Sequence, residues 1–244
     1  MKKYKIAIFI PAYKAATTLI SVIERIPSKT KIFVREIYIF DDCSPDNTYY
    51  VGLGYKHESK IKKFNIYKNK KNLGYGGNQK LGYNYAIKRK YDIAVMLHGD
   101  AQYAPEYIPK LIKPLIENKA DMVFGSRMLG NPLNQGMPLW KYLGNRFLTF
   151  FENRALNMNL SEYHSGFRAY NLHALKEVQF EDCPDDYGFD TDIIIKLVVK
   201  KKRIAEISIP THYGPESHQI SFTRSLYYGY SIFKSLLKYK LNKN

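Results

Sequence analysis

The feature that most constrains the fold is an alternation of short β-rich runs with helical patterns through the first half of the chain. Lys5–Ile10, Val34–Phe40, Phe64–Tyr67, Ile93–Leu97 and Met122–Phe124 read as strands bounded by polar or turn residues. Helical patterns fall between them near Thr17–Ile26, Tyr75–Lys90 and Pro105–Asn118, the last with proline at its first turn. Strands and helices alternating at this spacing predict an α/β fold with a mostly parallel central sheet flanked by helices. In such sheets ligands bind at the carboxyl ends of the strands, so the chemistry is expected in the segments that follow each run.

Those segments do carry ligand-type residues. The first run is followed by Pro11-Ala12-Tyr13 rather than a glycine-rich turn, which argues against a dinucleotide-dependent dehydrogenase. After the second comes Asp41-Asp42-Cys43-Ser44-Pro45-Asp46. That is either a turn capping a helix or a carboxylate placed to accept from a nucleobase or ribose. Asn72-Leu73-Gly74-Tyr75-Gly76-Gly77 follows the third, and its glycines let backbone approach a ligand at a helix start. The fourth runs straight into His98-Gly99-Asp100-Ala101-Gln102, where alternate side chains can converge on one hard cation. Any one of these reads equally well as a polar loop; four consecutive strand ends of this kind do not.

Beyond Gly125 the pattern loosens. A long amphipathic segment, Leu139–Met158, precedes a compact His164–Tyr170 run, a helix from about Asp190 to Lys201, a short strand Ile204–Ile209 and a helical tail Ser221–Leu241. No stretch approaches the roughly 20 apolar residues of a spanning helix. The apolar part of the N-terminus, Ile6–Pro11, is shorter than a signal peptide core of ~7–15 residues and reads as a buried strand. Two cysteines, Cys43 and Cys183, make no disulfide framework and point to a reducing, cytoplasmic setting. A net charge of +16 calls for an anionic partner: nucleic acid, a phosphate-bearing substrate or an acidic membrane. No nucleic-acid reading motif accompanies the charge, so nucleic acid is not the expected partner.

Taken in order, Pro11-Ala12-Tyr13, the Asp41-Asp42…Ser44 turn, Asn72-Leu73-Gly74 and His98-Gly99-Asp100-Ala101-Gln102 resemble a family-2 glycosyltransferase of the dolichyl-phosphate-mannose-synthase branch. So do Gly125-Ser126-Arg127, Ser165-Gly166-Phe167-Arg168-Ala169-Tyr170 and Pro210-Thr211-His212-Tyr213, and together they span nearly the whole chain. The resemblance implies a nucleotide-diphospho-sugar transferase (GT-A type) fold and inverting transfer from a UDP- or GDP-sugar, assisted by Mg2+ or Mn2+. The implied acceptor is a polyprenyl phosphate or a lipid-linked or surface glycan. By position, Pro11, Ala12, Tyr13 and Asp42 would hold the nucleoside, with Asp41 and Gly74 beside them. Asp100 and Gln102 would hold the metal, and Arg127 and Arg168 the diphosphate. His98 replaces the first aspartate of the branch's metal motif, and a neutral imidazole suits manganese better than magnesium. His212 and His218 stand where relatives carry an arginine and a lysine, and would meet phosphate only when protonated.

A hydroxyl acceptor needs a general base, and Asp190, with Asp192 nearby, is best placed for it. Asp190 equally suits a helix N-terminus, and a phosphate acceptor needs no base. The chain is expected to form a single domain, with about 1–125 as the nucleotide-sugar half and about 126–244 as the acceptor half. After Glu216 no acidic residue remains, while Arg224, Lys234, Lys238, Lys240 and Lys243 alternate with aromatic and aliphatic residues. That is the pattern of a helix lying on an anionic surface, expected at the inner face of the cytoplasmic membrane. The competing readings are a nucleotide-sugar binder without turnover, prompted by His98, and a sugar nucleotidyltransferase, which lacks here its glycine-rich loop after the first strand.

Overall fold

The computed structural model describes residues 4–59, 61, 63–211, 213 and 222–241. The chain runs β1 (Ile6–Ala12), α1 (Leu19–Arg25), α2 (Ser28–Phe33), β2 (Glu36–Asp41), α3 (Thr48–Glu58), β3 (Phe64–Lys68), α4 (Gly74–Lys88) and β4 (Ile93–Met96). It continues with α5 (Ile108–Ile116), β5 (Met122–Ser126), α6 (Leu139–Leu156), β6 (Arg168–Asn171), α7 (Leu172–Lys176), α8 (Phe189–Val199), β7 (Ile204–Ser208) and α9 (Phe222–Leu241). Each run expected as a strand is one, to within two residues at either end.

The strands form one sheet in the order β3-β2-β1-β4-β6-β5-β7. All neighbours are parallel except β6, which runs antiparallel to both β4 and β5, with Ala169 opposite Val95 on one side and Val123 on the other. That reversal matters for the site. Because β6 points the other way, the residues just before it arrive at the carboxyl ends of β4 and β5, where the His98–Gln102 loop also lies.

The period-2 geometry of β1 sends its side chains to two cores. Ile6, Ile8 and Ile10 pack with Leu19, Val22 and Ile23 of α1 and with Ile108, Leu111 and Ile112 of α5. Ala7 and Phe9 face the other layer, with Tyr83 of α4, Ile193, Ile194 and Leu197 of α8, and Ile232 and Leu236 of α9. Both sheet faces are therefore covered, which is why the central strands read as continuous apolar runs. Helix α2 was not expected from the sequence, and α3 only as the helix capped in one reading of the Asp41–Asp46 turn; α3 fully buries Thr48 and Gly52, with Tyr49, Leu53 and Tyr55 half-buried against the core.

Helix α6 is built inside out. Its buried face carries Asn145, Thr149, Glu152 and Leu156, whereas Leu139, Leu143, Phe147 and Phe150, at the same helical spacing on the opposite side, are exposed. Its neighbour α9 buries Ile232 and Leu236 and exposes Tyr227, Tyr230, Leu237 and Leu241. An aromatic cluster joins the two helices: Phe151 lies 4.9 Å from Phe147 and 5.4 Å from Phe233.

Candidate active site

The carboxyl ends of the strands open into a cavity of about 1230 Å³. Pro11, Ala12, Tyr13, Asp42, Gly74, His98, Asp100, Gln102, Arg127 and Asp190 all line it, together with Trp140, Lys141, Phe147 and Leu148 of α6 and Tyr228 and Phe233 of α9. One end is polar loop; the other is the aromatic wall of α6 and α9.

At the polar end Asp42 organises two loops. Its carboxylate accepts from Asn69 Nδ2 (2.8 Å), Leu73 N (2.8 Å) and Gly74 N (3.0 Å), fixing the glycine turn that opens α4. A carboxylate has about four acceptor sites, so these three bonds leave room for a ligand donor. Gly74 needs its glycine, having φ +79° with Asp185 O 2.7 Å from where a Cβ would sit.

Asp41 lies elsewhere. It is fully buried, accepts from the Ser44 hydroxyl and does not line the cavity. Burial pushes its carboxyl pKa up, against the Ser44 hydrogen bonds. It braces the turn that presents Asp42.

Past β4, the Thr18 hydroxyl donates to Gly99 O (2.7 Å), and Asp100 Oδ1 accepts from Gln102 N (3.1 Å) across the left-handed Ala101. His98 is enclosed by Tyr75, Tyr103 and Gly166, where a Cβ would come within 2.6 Å of the imidazole. Burial holds its pKa below the ordinary histidine value, outweighing the Asp100 and Asp190 carboxylates that pull it up. Its Nε2 lies 3.5 Å from the Tyr75 hydroxyl. Tyr75 in turn donates to Asp190 Oδ2 (2.8 Å).

Among the described residues no group of three or more His, Cys, Asp or Glu side chains could by itself hold a metal ion. The donors here are one carboxylate, Asp100, the Gln102 amide and the His98 imidazole. That set does not make an all-protein cage. It does fit a hard cation held by one or two protein ligands and completed by phosphate oxygens.

Two buried arginines sit around this loop, and they differ. Arg127 reaches the cavity wall and is clamped by Glu162, whose Oε2 takes Arg127 Nε at 3.0 Å and Asn145 Nδ2 at 3.2 Å. Burial pushes the Glu162 carboxyl up, but the charge and the hydrogen bonds of Arg127 together outweigh it and hold the carboxyl below its usual range. Lys141, on the first turn of α6, also lines the cavity; burial, with help from Arg127, brings its pKa down to about 8.

Arg168, expected to grip a diphosphate, is placed differently. It is fully buried and absent from the cavity lining. Its guanidinium donates to Ser165 O (2.7 Å), Tyr163 O (2.8 Å) and Asp190 O (3.1 Å), with Nη1 3.2 Å from Asp190 Oδ1. Arg168 is thus a strut behind Asp190, tying β6 to α8. His212 and His218 lie outside the described residues. Sequence reasoning missed Tyr75, Lys141 and His164 as cavity residues, since no local pattern marks them.

Residues 7–179 match the family described as "Glycosyl transferase family 2". The chain belongs to that family. Over 98% of its length it is 29% identical to a UDP-N-acetylglucosamine–dolichyl-phosphate N-acetylglucosaminyltransferase of Methanococcus voltae, covering 97% of that protein. It is 25% identical, over 86% of its length and 56% of the relative's, to a dolichol-phosphate mannosyltransferase of Pyrococcus furiosus. The fold matches that of glucosyl-3-phosphoglycerate synthase from Mycobacterium tuberculosis, solved with Mn2+, uridine diphosphate and phosphoglyceric acid. The TM-score is 0.71 at 17% identity, covering 97% of this chain and 78% of that one. The fold is therefore of GT-A type, and the chain is a family-2 glycosyltransferase similar to proteins named for transfer to dolichyl phosphate.

Proposed function

We propose that this glycosyltransferase moves a sugar, with inversion, from a UDP- or GDP-sugar to a polyprenyl phosphate, working against an anionic membrane surface. The observation that carries the reading is the two-ended cavity: nucleotide-type loops and Asp100 at one end, an aromatic wall from α6 and α9 at the other. A polar donor and a lipid-borne acceptor call for such a chamber.

In this reading Pro11, Ala12, Tyr13 and Asp42 hold the nucleoside, and Arg127 and Lys141 face the phosphates. Asp100 and Gln102, with His98 beside them, would hold Mg2+ or Mn2+, which when bound offsets the charge of the departing diphosphate. Asp190, set by Tyr75 and Arg168, faces the sugar. The relatives' names favour a phosphate acceptor; a glycan acceptor would instead need Asp190 as base.

Uridine or guanosine diphosphate is expected to raise the melting temperature only with Mn2+ or Mg2+ present. By linkage, ligand at 100-fold its dissociation constant adds about 2.7 kcal/mol. Equal stabilisation in chelator would remove the metal from the proposal. Turnover of a nucleotide-sugar panel separates a transferase from a binder without activity.

Among the described residues no helix is long and apolar enough to cross a membrane. The exposed stripes of α6 and α9 are instead suited to lying on one, with Lys234, Lys238 and Lys240 beside them. Binding to vesicles containing acidic lipid should weaken as salt rises, each basic residue near the surface contributing about 1 kcal/mol. Removing α9 is a poor test, because Ile232 and Leu236 belong to the core. The double variant Leu143→Ser/Phe150→Ser alters only exposed positions and should lose vesicle binding at unchanged melting temperature. Undiminished binding would exclude α6 from the contact.

A further inference from the structure

We infer that His164, backed by Glu152, is the side chain that receives the acceptor's phosphate. The inference rests on the acceptor class proposed above and goes on to name the residue that reads it.

His164 lines the cavity just before β6, with a side chain only 8% exposed. Its Nε2 lies 3.0 Å from Glu152 Oε2, on the buried face of α6. Glu152 is completely enclosed, and its other oxygen accepts from the Thr191 hydroxyl of α8 at 3.1 Å. The edge of Tyr228, from α9, packs on the imidazole with ring centroids 5.5 Å apart. Among the described residues, neither His164 Nε2 nor Glu152 Oε2 has an aligned hydrogen-bond partner. Three helices thus converge on one histidine–carboxylate pair whose facing atoms are 3.0 Å apart and unsaturated in hydrogen bonding.

A carboxylate is not buried without a compensating group, and the ionisable partner the structure sets against Glu152 is His164. A carboxylate on one ring nitrogen orients the imidazole, and an imidazole that bridges two anions donates to both, one from each nitrogen. The chamber needs such a donor. An acceptor phosphate is an anion that must approach the sugar beside Asp190 and Asp100. Arg168 is committed to Asp190, and Arg127 and Lys141 are assigned above to the donor's phosphates. His164 lies next to the α6 and α9 wall, so a prenyl chain along that wall would bring its phosphate to this imidazole.

The step needs no proton transfer. A phosphate oxygen forms the bond to the anomeric carbon. The bond from that carbon to the diphosphate breaks, and the nucleoside diphosphate leaves with the electron pair. His164 holds the attacking anion and is unchanged at the end.

The test compares geranyl phosphate with geraniol, as ligands and as acceptors, in wild type and in His164→Leu, His164→Gln and Glu152→Gln. Wild type should prefer the phosphate. His164→Leu should raise the KM for geranyl phosphate by about tenfold or more, the scale of one charge-assisted hydrogen bond, and erase the preference. Donor KM should stay level, and His164→Gln should fall between. A preference that survives in His164→Leu overturns the inference and leaves the acceptor class standing. So does a lower kcat at unchanged acceptor KM, which would mark His164 as a base for hydroxyl acceptors. No phosphate preference in wild type overturns both. Should His164→Leu misfold, the imidazole resonances of wild type decide: those of His164 should shift with geranyl phosphate and not with geraniol, and no shift overturns the inference.

Discussion

Asp100→Asn is expected to lower the transfer rate by about a thousandfold while leaving the melting temperature within a degree or two of wild type. The two halves of that expectation have separate causes. Structurally, Asp100 does little that an amide cannot: its Oδ1 accepts one backbone hydrogen bond, from Gln102 N, and the asparagine carbonyl can accept the same bond. Chemically, the carboxylate is the charged oxygen donor that the strand end aims at the cavity, and a hard cation binds a neutral amide far less well. A cation that stabilises developing charge on a diphosphate contributes several kcal/mol, each ~1.4 of which is a factor of about ten in rate. Thermal melts by circular dichroism and initial rates with saturating Mn2+ check both parts. Full activity at unchanged stability would remove Asp100 from the site. Collapse of the fold would mean that the loop, rather than the chemistry, depends on its charge.

The end of the cavity built from the strand-end loops was legible in the sequence for a physical reason. Buried parallel strands must be apolar along their whole length, so β1, β2 and β4 stand out, and the residue types at their ends then read as ligands. The part lined by α6, α9 and the approach to β6 was harder. In β6 four residues span both neighbours, too few for a period to show, and the reversal that brings His164 to the site is set by tertiary packing. Periodicity showed that α6 is amphipathic but could not say which face is buried. The polar face is inside because Asn145 and Glu152 have partners waiting on Glu162, Thr191 and His164. Arg168 is the same lesson in one residue. A guanidinium in a cavity-forming segment looks like a phosphate ligand, and only the carbonyls of Tyr163, Ser165 and Asp190 around it show that it is a strut.

That placement gives Arg168 a different expected phenotype from a phosphate ligand. Arg168→Met keeps most of the volume but removes the charge opposite Asp190 and the donors to three carbonyls. Breaking a buried pair from one side costs about 3–5 kcal/mol, because the remaining charge is left uncompensated. In a chain of this size each kcal/mol shifts the melting temperature by about 2–4 °C, so a fall of about 6–20 °C is expected. A diphosphate ligand would behave in the opposite way: stability near wild type, with donor affinity sharply reduced. The mechanism has an internal control. Asp190→Asn placed on Arg168→Met removes the orphaned carboxylate, and the double variant should melt above Arg168→Met alone. The two residues touch, so their effects should not add. Additive losses would mean that Asp190 does not depend on Arg168 for its charge, and that the ion pair across β6 and α8 is geometry without energetic coupling.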